Sequence, residues 1–366
     1  MKINFLRVVN FRNYENEEIE FSDGKNLIFG QNAQGKTNLL EAVFYLSCLK
    51  TLRGTKDSEA IRHGEKLSRV CGEFEGMGRR EEVMCDISPR GRKLIVNGIR
   101  RMRPSSHIGL IKTVVFSPDD LQLIKEGPAL RRRFVNIAVS QLRPAYIRAL
   151  SEHNRIIEQK RKILKLEDGR KYYDYLDVLN EKLAHDMDLI SRERGRFLKK
   201  AEALANATME KISGGSESCG ISYVCDSAIE NTEEDNKKRI LRHLNLRKDA
   251  EFEARSCLIG SHRDDFTVLI NGLPAKNYAS QGQIRSLILA LKTAERRIIE
   301  EDSGDVPILL LDDVLSELDP HRRSFLLNGA EKGQTIITGC DPSMFSELSA
   351  GKIFTVSKGK IKSENK

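Results

Sequence analysis

Three observations predict an α/β fold interrupted by a helical lobe. Residues 26 to 29 are an apolar run that breaks into the loop "GQNAQGK" and resumes as a helix. Near the other end, "VPILLLDD" (306 to 313) reads as a buried strand closing on two acids. Between them, from about Leu121 to Ala250, the chain is helical and charged, punctuated by Pro128 and Pro144.

In chain order, residues 2 to 9 and 26 to 29 read as short strands around a turn at Asp23-Gly24. A helix follows from Lys36, with Leu39, Leu40, Val43 and Leu46 on a 3.6-residue face. "RVCGEF", "EEVMCDI" and "KLIVNG", within residues 69 to 99, read as an antiparallel meander closing on Asn97-Gly98. In the helical lobe, Leu176, Leu179, Leu183, Met187, Ile190, Phe197, Ala201 and Leu204 repeat at threes and fours, the stripe of a helix packed on a neighbour. "SGGSESCG" (213 to 220) reads as a loop and "NTEEDNKK" (231 to 238) as a surface turn. After Ala250 come a hairpin around Asn271-Gly272, a helix from about Gln283 to Glu300, the acidic strand, and a last strand "TIITG".

The 366 residues leave room for two domains. A head from residues 1–124 and 251–366 and a helical arm from 125–250 is the expected division. The formal charge of +8 suits a partner bearing phosphates. No window has the roughly 18 apolar residues of a membrane helix, and the start lacks the apolar core of a signal peptide, so a soluble, cytoplasmic chain without a membrane partner is expected. The seven cysteines include no Cys-x-x-Cys pair and are odd in number, against a disulfide framework or a four-ligand zinc site, so they are read as reduced and structural.

"GQNAQGKT" matches G-x-x-x-x-G-K-[ST] at Gly30, Gly35, Lys36 and Thr37, with a strand before it and a helix after. The glycines let backbone N–H groups face a phosphate, Lys36 adds a mobile positive charge, and the Thr37 hydroxyl can ligate Mg²⁺. Gln31, Asn32, Ala33, Gln34 and Asn38 complete this candidate ATP cradle. Asp312, ending the apolar strand, is the candidate Mg²⁺-side carboxylate, and Asp313 the group that orients or deprotonates the attacking water.

About 275 residues separate the cradle from the acids, so something is inserted. "YASQGQ" (278 to 283) then decides the class: a Ser-x-Gly-Gln loop opening a helix about thirty residues before the acidic strand resembles the signature of ABC-type ATPases. That resemblance implies that Ser280, Gly282 and Gln283 meet the nucleotide held by an opposing copy. "SELD" (316 to 319) resembles the D-loop that contacts the partner subunit, through Asp319, and "NFRNY" (10 to 14) the SMC-head segment whose Arg, here Arg12, touches nucleotide phosphate.

Together with "VVFSPDDLQLIKEGPALRRRF" and "GSHRDDF", these motifs stand in the order of the RecF family, and nearly the whole chain resembles it. The resemblance implies an ABC/SMC-type P-loop ATPase head with an antiparallel β subdomain and an inserted helical arm. It also implies ATP and Mg²⁺ as cofactors, a homodimer when ATP is bound, and sequence-independent binding of DNA at gaps or single-strand/duplex junctions. RecR and RecO partners, recombinase loading, fork maintenance and the SOS response follow from the same resemblance. Asp313 stands where many ABC ATPases have Glu, one methylene longer, consistent with slow hydrolysis that times a clamp; a weak, DNA-dependent ATPase is what the resemblance implies. "TIITGCD" lacks a switch His, and near "VVFSPDD" only Gln122 could serve a Q-loop. A transporter-type coupling ATPase is the alternative; it predicts a short helical insert and a membrane partner.

Between Lys125 and Lys171 there are 13 Lys or Arg against 5 acids, including "RRR" at 131 to 133. As a group these read as a phosphate-contacting face. "GSHRDD" (260 to 265), with His262, Arg263, Asp264 and Asp265, reads as structural salt-bridging, since one His makes no metal site.

Overall fold

The computed structural model describes residues 1–225, 235–329, 332–341 and 351–364. Its centre is a six-stranded sheet ordered Lys360–Glu364, Lys352–Ser357, Lys25–Phe29, Thr335–Gly339, Ile308–Asp312, Thr113–Phe116. Every neighbouring pair is parallel except the first, which is an antiparallel hairpin. Alternation along the strands sends Ile28, Leu310 and Ile336 to one apolar cluster and Leu27, Leu309, Leu311 and Ile337 to another. Both faces are covered, which is why these strands read as continuous apolar runs.

The helix Lys36–Cys48 lies in the first cluster, between this sheet and an antiparallel one. Eleven of its thirteen residues are buried, more than the one-sided face its leucines suggest. The antiparallel sheet runs Tyr14–Glu20, Lys2–Phe11, Ser68–Gly76, Arg79–Ser88, Gly91–Val96, Ile99–Arg101. Its meander is the one that "RVCGEF", "EEVMCDI" and "KLIVNG" predict, while Tyr14–Glu20 is a strand the sequence pattern does not predict. "YENEEIE" hides its strand character because its two buried apolar residues, Tyr14 and Ile19, are five apart and so break the period-2 alternation of a half-buried strand.

The inserted region is dominated by one helix of 41 residues, Tyr173–Ser213. Leu176, Leu179, Leu183 and Met187 pack in a distal cluster with Ile156, Ile157 and Leu164 of the helix Pro144–Leu164. Further along, Ile190, Phe197, Ala201 and Met209 join the cluster under the central sheet. One rod therefore joins the two clusters. The stretch read as a loop at 213 to 220 turns at Gly214 and Gly215, both with positive φ, but Cys219 and Gly220 already belong to a strand. That strand, Cys219–Val224, pairs antiparallel with Asp265–Ile270. Of the surface turn read at 231 to 238, residues 231–234 lie outside the described residues, and Asn236 opens a helix capped by Asp235.

Candidate functional site

Parallel pairing puts the C-terminal ends of Lys25–Phe29, Thr335–Gly339 and Ile308–Asp312 side by side. Such carboxyl ends are where open α/β sheets place their sites. Gly30 leaves the first strand against Val356, so close that a Cβ would run into its carbonyl oxygen. At the helix start Gly35 has φ 120°, and a Cβ there would lie 2.6 Å from Asn13 Nδ2 and 2.9 Å from the Tyr14 hydroxyl. Space therefore requires glycine at both positions, and at Gly35 the backbone dihedral does as well.

The loop is held from outside. Asn13 Nδ2 donates to Gln34 O at 2.7 Å, the Tyr14 hydroxyl to Gly35 O at 2.9 Å, and Asn38 Nδ2 to Asn13 Oδ1 at 2.8 Å. Lys358 N donates to Gln34 Oε1 at 2.6 Å. Lys36 Nζ folds onto the loop carbonyls of Gly30 (2.5 Å) and Gln31 (3.0 Å) and reaches Cys340 Sγ at 3.2 Å, while that thiol meets Asn32 Oδ1 at 3.0 Å. Cys340, read from sequence as structural, is thus an exposed thiol on the phosphate loop.

Opposite the loop, Asp312 Oδ1 accepts from Thr37 Oγ1 at 2.9 Å and Thr338 Oγ1 at 2.8 Å. Burial raises the Asp312 pKa; hydrogen bonds from Thr338 and Thr37 pull the other way, and the neighbouring Asp313 pushes it up further. The donor set is a hydroxyl and a carboxylate, hard oxygens suited to Mg²⁺. Asp313 follows with φ 52° and its N–H donates to Thr338 Oγ1 at 3.0 Å. A left-handed non-glycine residue here turns the chain off the strand end. A cavity of about 620 Å³ opens beside the acids, lined by Thr37, Asp312, Asp313, Gln122, Lys292 and Glu295. Gln122, the residue left open as a Q-loop candidate, thus shares a cavity with Asp313.

Arg12 takes a different direction. Its guanidinium grips Glu41 at 2.6 and 3.0 Å and Glu59 O at 2.7 Å, tying strand to helix behind the loop. Its neighbours Asn13 and Tyr14, also in "NFRNY", are the ones that touch the loop.

Ser280 and Gln283 form a reciprocal capping box: Gln283 N donates to Ser280 Oγ at 3.2 Å and Ser280 N to Gln283 Oε1 at 2.8 Å. Gln283 Nε2 continues to Glu217 at 2.9 Å. Asp319 pairs with Arg322, and hydrogen bonds from Arg322 hold its carboxyl below the usual range. Among the described residues no hydrogen bond or ion pair joins residues 280–283 to residues 30–38.

Five of the thirteen cations of the basic run, Arg131, Arg132, Arg133, Arg143 and Lys160, are drawn into the fold, and the other eight are exposed. Arg131 grips Asp265 at 2.7 and 2.8 Å, Arg132 donates to Asp264 O, and Arg133 donates to the carbonyls of Thr51 and Leu52. Lys160 is fully buried against Glu251 at 2.9 Å. Asp264 is itself buried, paired with Arg194 at 2.6 Å and accepting from the Tyr223 hydroxyl, so "GSHRDD" ties the helix Tyr173–Ser213 and the strand Cys219–Val224 together. A different region carries unspent charge: Arg90, Lys93, Arg100 and Arg103, on or beside the hairpin Gly91–Val96/Ile99–Arg101, are exposed.

The family described as "RecF/RecN/SMC N terminal domain" matches residues 2–363. "DNA replication and repair protein RecF" of Listeria welshimeri is 37% identical over 368 residues, covering 99% of this chain and 100% of that one. The protein of the same name from Shouchella clausii is 35% identical, covering 99% of each. Among solved structures, "the recombination mediator protein RecF-ATP in RecFOR pathway" superimposes with a TM-score of 0.92 at 33% identity, covering 99% of this chain and 97% of that one. The Smc head domain of Pyrococcus furiosus bound to the C-terminal domain of ScpA shares the fold at a TM-score of 0.56 and 18% identity, covering 99% of this chain and 96% of that one.

Proposed function

The chain belongs to the RecF family, and from that premise we propose an ATP-dependent DNA-binding protein of recombinational repair and replication-fork maintenance, whose two copies close around nucleotide. The observation that carries the proposal is the split site. Gly30 to Asn38, Asp312 and Asp313 form one half, while Ser280 to Gln283 stand apart from it with their own caps and partners. A second copy completes it.

In this reading the amides of Gly30 to Gly35 and the Lys36 ammonium take the β- and γ-phosphates, with Asn38 beside them. Lys36 exchanges its loop carbonyls for phosphate oxygens. Thr37 and Asp312 would hold Mg²⁺, which neutralises charge on the β- and γ-oxygens when bound. Asp313 orients the water. Ser280, Gly282, Gln283 and Asp319 come from the partner, and Arg12 acts through Glu41 behind the loop. ATP hydrolysis fits the family; that it is slow and DNA-dependent is part of our proposal, as are the cytoplasmic location and the division into a head (1–124, 251–366) and an arm (125–250).

The pathway in which the solved relatives are placed supports RecR and RecO as partners, recombinase loading as the outcome, and gapped DNA or a single-strand/duplex junction as the substrate. For the phosphates we favour the exposed cations of the 90–103 hairpin over the paired ones of the arm. Sedimentation with a gapped duplex tests the whole. An ATP-only dimer on DNA, absent with ADP and lost in Lys36→Met and Ser280→Arg, is expected; a monomer in every condition would sink the proposal.

A further inference from the structure

The helix Gln281–Ser303 begins with its first side-chain cap already consumed by Ser280 and Gln283, which leaves the amides of Gln281 and Gly282 at its open end. Arg322 lies over that end. Its Nε donates to Ser286 Oγ at 2.9 Å and its Nη1 pairs with Asp319. Its Nη2 has no hydrogen-bond acceptor among the described residues and sits 3.7 Å from where a Gly282 Cβ would be. The side chain is 23% exposed, enough to be reached and too little to be free. Arg285, on the same helix, is instead held by Glu317 at 3.0 Å, and Arg323 is turned onto Leu318 O. One guanidinium edge is therefore presented beside the signature glycine, with the acid that restrains it lying in the D-loop.

We propose that Arg322 is a catalytic residue of the partner copy's nucleotide site, the cation that the signature end of one copy brings to the γ-phosphate held by the other. This rests on the two-copy reading above. During hydrolysis the bond from the γ-phosphorus to the β–γ bridging oxygen breaks, a water oxygen takes its place, and the water proton leaves toward Asp313. Arg322 adds no atom; it neutralises the γ-oxygens as charge spreads over them. Asp319 keeps the guanidinium aimed before closure and can turn to the partner's backbone once phosphate replaces it.

The test mixes two inactive variants. Arg322→Ala should dimerise on ATP yet lose on the order of 10³-fold in turnover, as removal of a phosphate-directed arginine does. Asp313→Asn should also dimerise without hydrolysing. In a mixed dimer, the site built on the Arg322→Ala P-loop receives an intact Arg322 from its partner, so an equal mixture should recover about a quarter of wild-type turnover per protomer if copies pair at random. No recovery places Arg322 on its own chain's nucleotide and overturns the proposal. A role limited to bracing the signature helix would also act across the dimer, so Ser286→Ala, which removes the brace and keeps the charge, separates the two. It should stay within about threefold of wild type, and Arg322→Lys should fall between wild type and Arg322→Ala. A loss in Ser286→Ala equal to that in Arg322→Ala would leave Arg322 only a brace. Full activity in Arg322→Ala sinks this inference alone, whereas a wild-type chain that stays monomeric with ATP sinks the two-copy reading beneath it.

Discussion

The arm stretch from Lys125 to Lys171 and the hairpin segment from Arg90 to Arg103 are both rich in arginine and lysine, yet they use charge in opposite ways. In the arm, Arg131, Arg132, Arg133, Arg143 and Lys160 are bound to carboxylates or carbonyls of the same chain. In the hairpin segment, no acid interrupts the six cations from 90 to 103; of these Arg92 reaches Leu49 O and Asp57, Arg101 is half-buried, and the other four are exposed. Two acids of the preceding strand are already engaged, Asp86 by Arg69 and Glu81 by Asn97. A run of charge in sequence is therefore not a charged surface, because the anions that quench it can lie more than a hundred residues away.

Breaking the arm's pairs should cost stability, and the largest loss is expected at Lys160. Its ammonium is buried between Glu251 and Asn180 Oδ1, so Lys160→Ala strands a carboxylate in the interior. Denaturant unfolding should show a loss of about 3–5 kcal/mol. A change under about 1 kcal/mol would mean the pair is solvated and the contrast with the hairpin overstated. Arg131→Ala comes next, removing a two-pronged grip on Asp265 that joins the helix Pro128–Leu142 to the strand Asp265–Ile270. About 1.5–3 kcal/mol is expected, with the salt dependence of DNA binding unchanged.

The "GSHRDD" segment should be acid-sensitive. His153 Nε2 accepts from Ser261 N at 3.0 Å, and burial, with Arg194 and Arg161 nearby, holds its pKa down to about 4 despite the bond to Asn154. His262, 5.8 Å from it ring to ring, is held down to about 3 by burial, His153, Arg161 and Arg263. Both imidazoles titrate higher in the unfolded chain, near 6.5, so protons favour unfolding. Stability is full above about pH 6.5 and falls as pH drops toward 4, by on the order of 1–3 kcal/mol. His153→Gln should flatten that slope in thermal melts run from pH 7 to 5; an unchanged slope would assign it to carboxylates elsewhere.

The hairpin should respond to DNA rather than to denaturant. Arg90, Arg100 and Arg103 replaced together by Ala should leave the melting temperature within error. If each meets a phosphate, the slope of log affinity against log salt should become shallower by about 2.7, with affinity down about tenfold near physiological salt. An unchanged slope would leave these cations as guards of the short edge strand Ile99–Arg101.

What could be read without coordinates was whatever is written consecutively. The phosphate loop, the acidic strand and the signature each concentrate their chemistry in a few neighbouring residues, and the structure puts the first two together through Thr37 and Asp312. Contacts closed by distant chain were invisible. Glu217 behind Gln283, Cys340 beside Lys36, and Asp265 under Arg131 are joined by topology, and nothing near any of these residues in sequence announces its partner. Asn13 and Tyr14 lay in a quoted motif, but only their hydrogen bonds to Gln34 and Gly35 show that they, more than Arg12, support the loop.

The smallest effect, and the sharpest check on the comparison, concerns the exposed and unspent cations of the stretch from Lys125 to Lys171, namely Arg148, Arg161 and Lys165. Arg148 and Arg161 lie thirteen residues apart on the helix Pro144–Leu164, which places them about 20 Å apart along its axis and turned by about 220°, on roughly opposite sides. One duplex cannot lie against both. Lys165, just past the helix end, follows Arg161 by four residues, so at most that pair could meet a single phosphate track. Replacing all three by Gln should therefore change stability by less than about 0.5 kcal/mol and make the salt slope shallower by no more than about 1.8. We expect the slope to stay put, because two cations at an arm's end lack the local density that the hairpin supplies. A loss equal to that of the hairpin variant would move the DNA face to the arm, and the opposition between spent and unspent charge would then hold for stability alone.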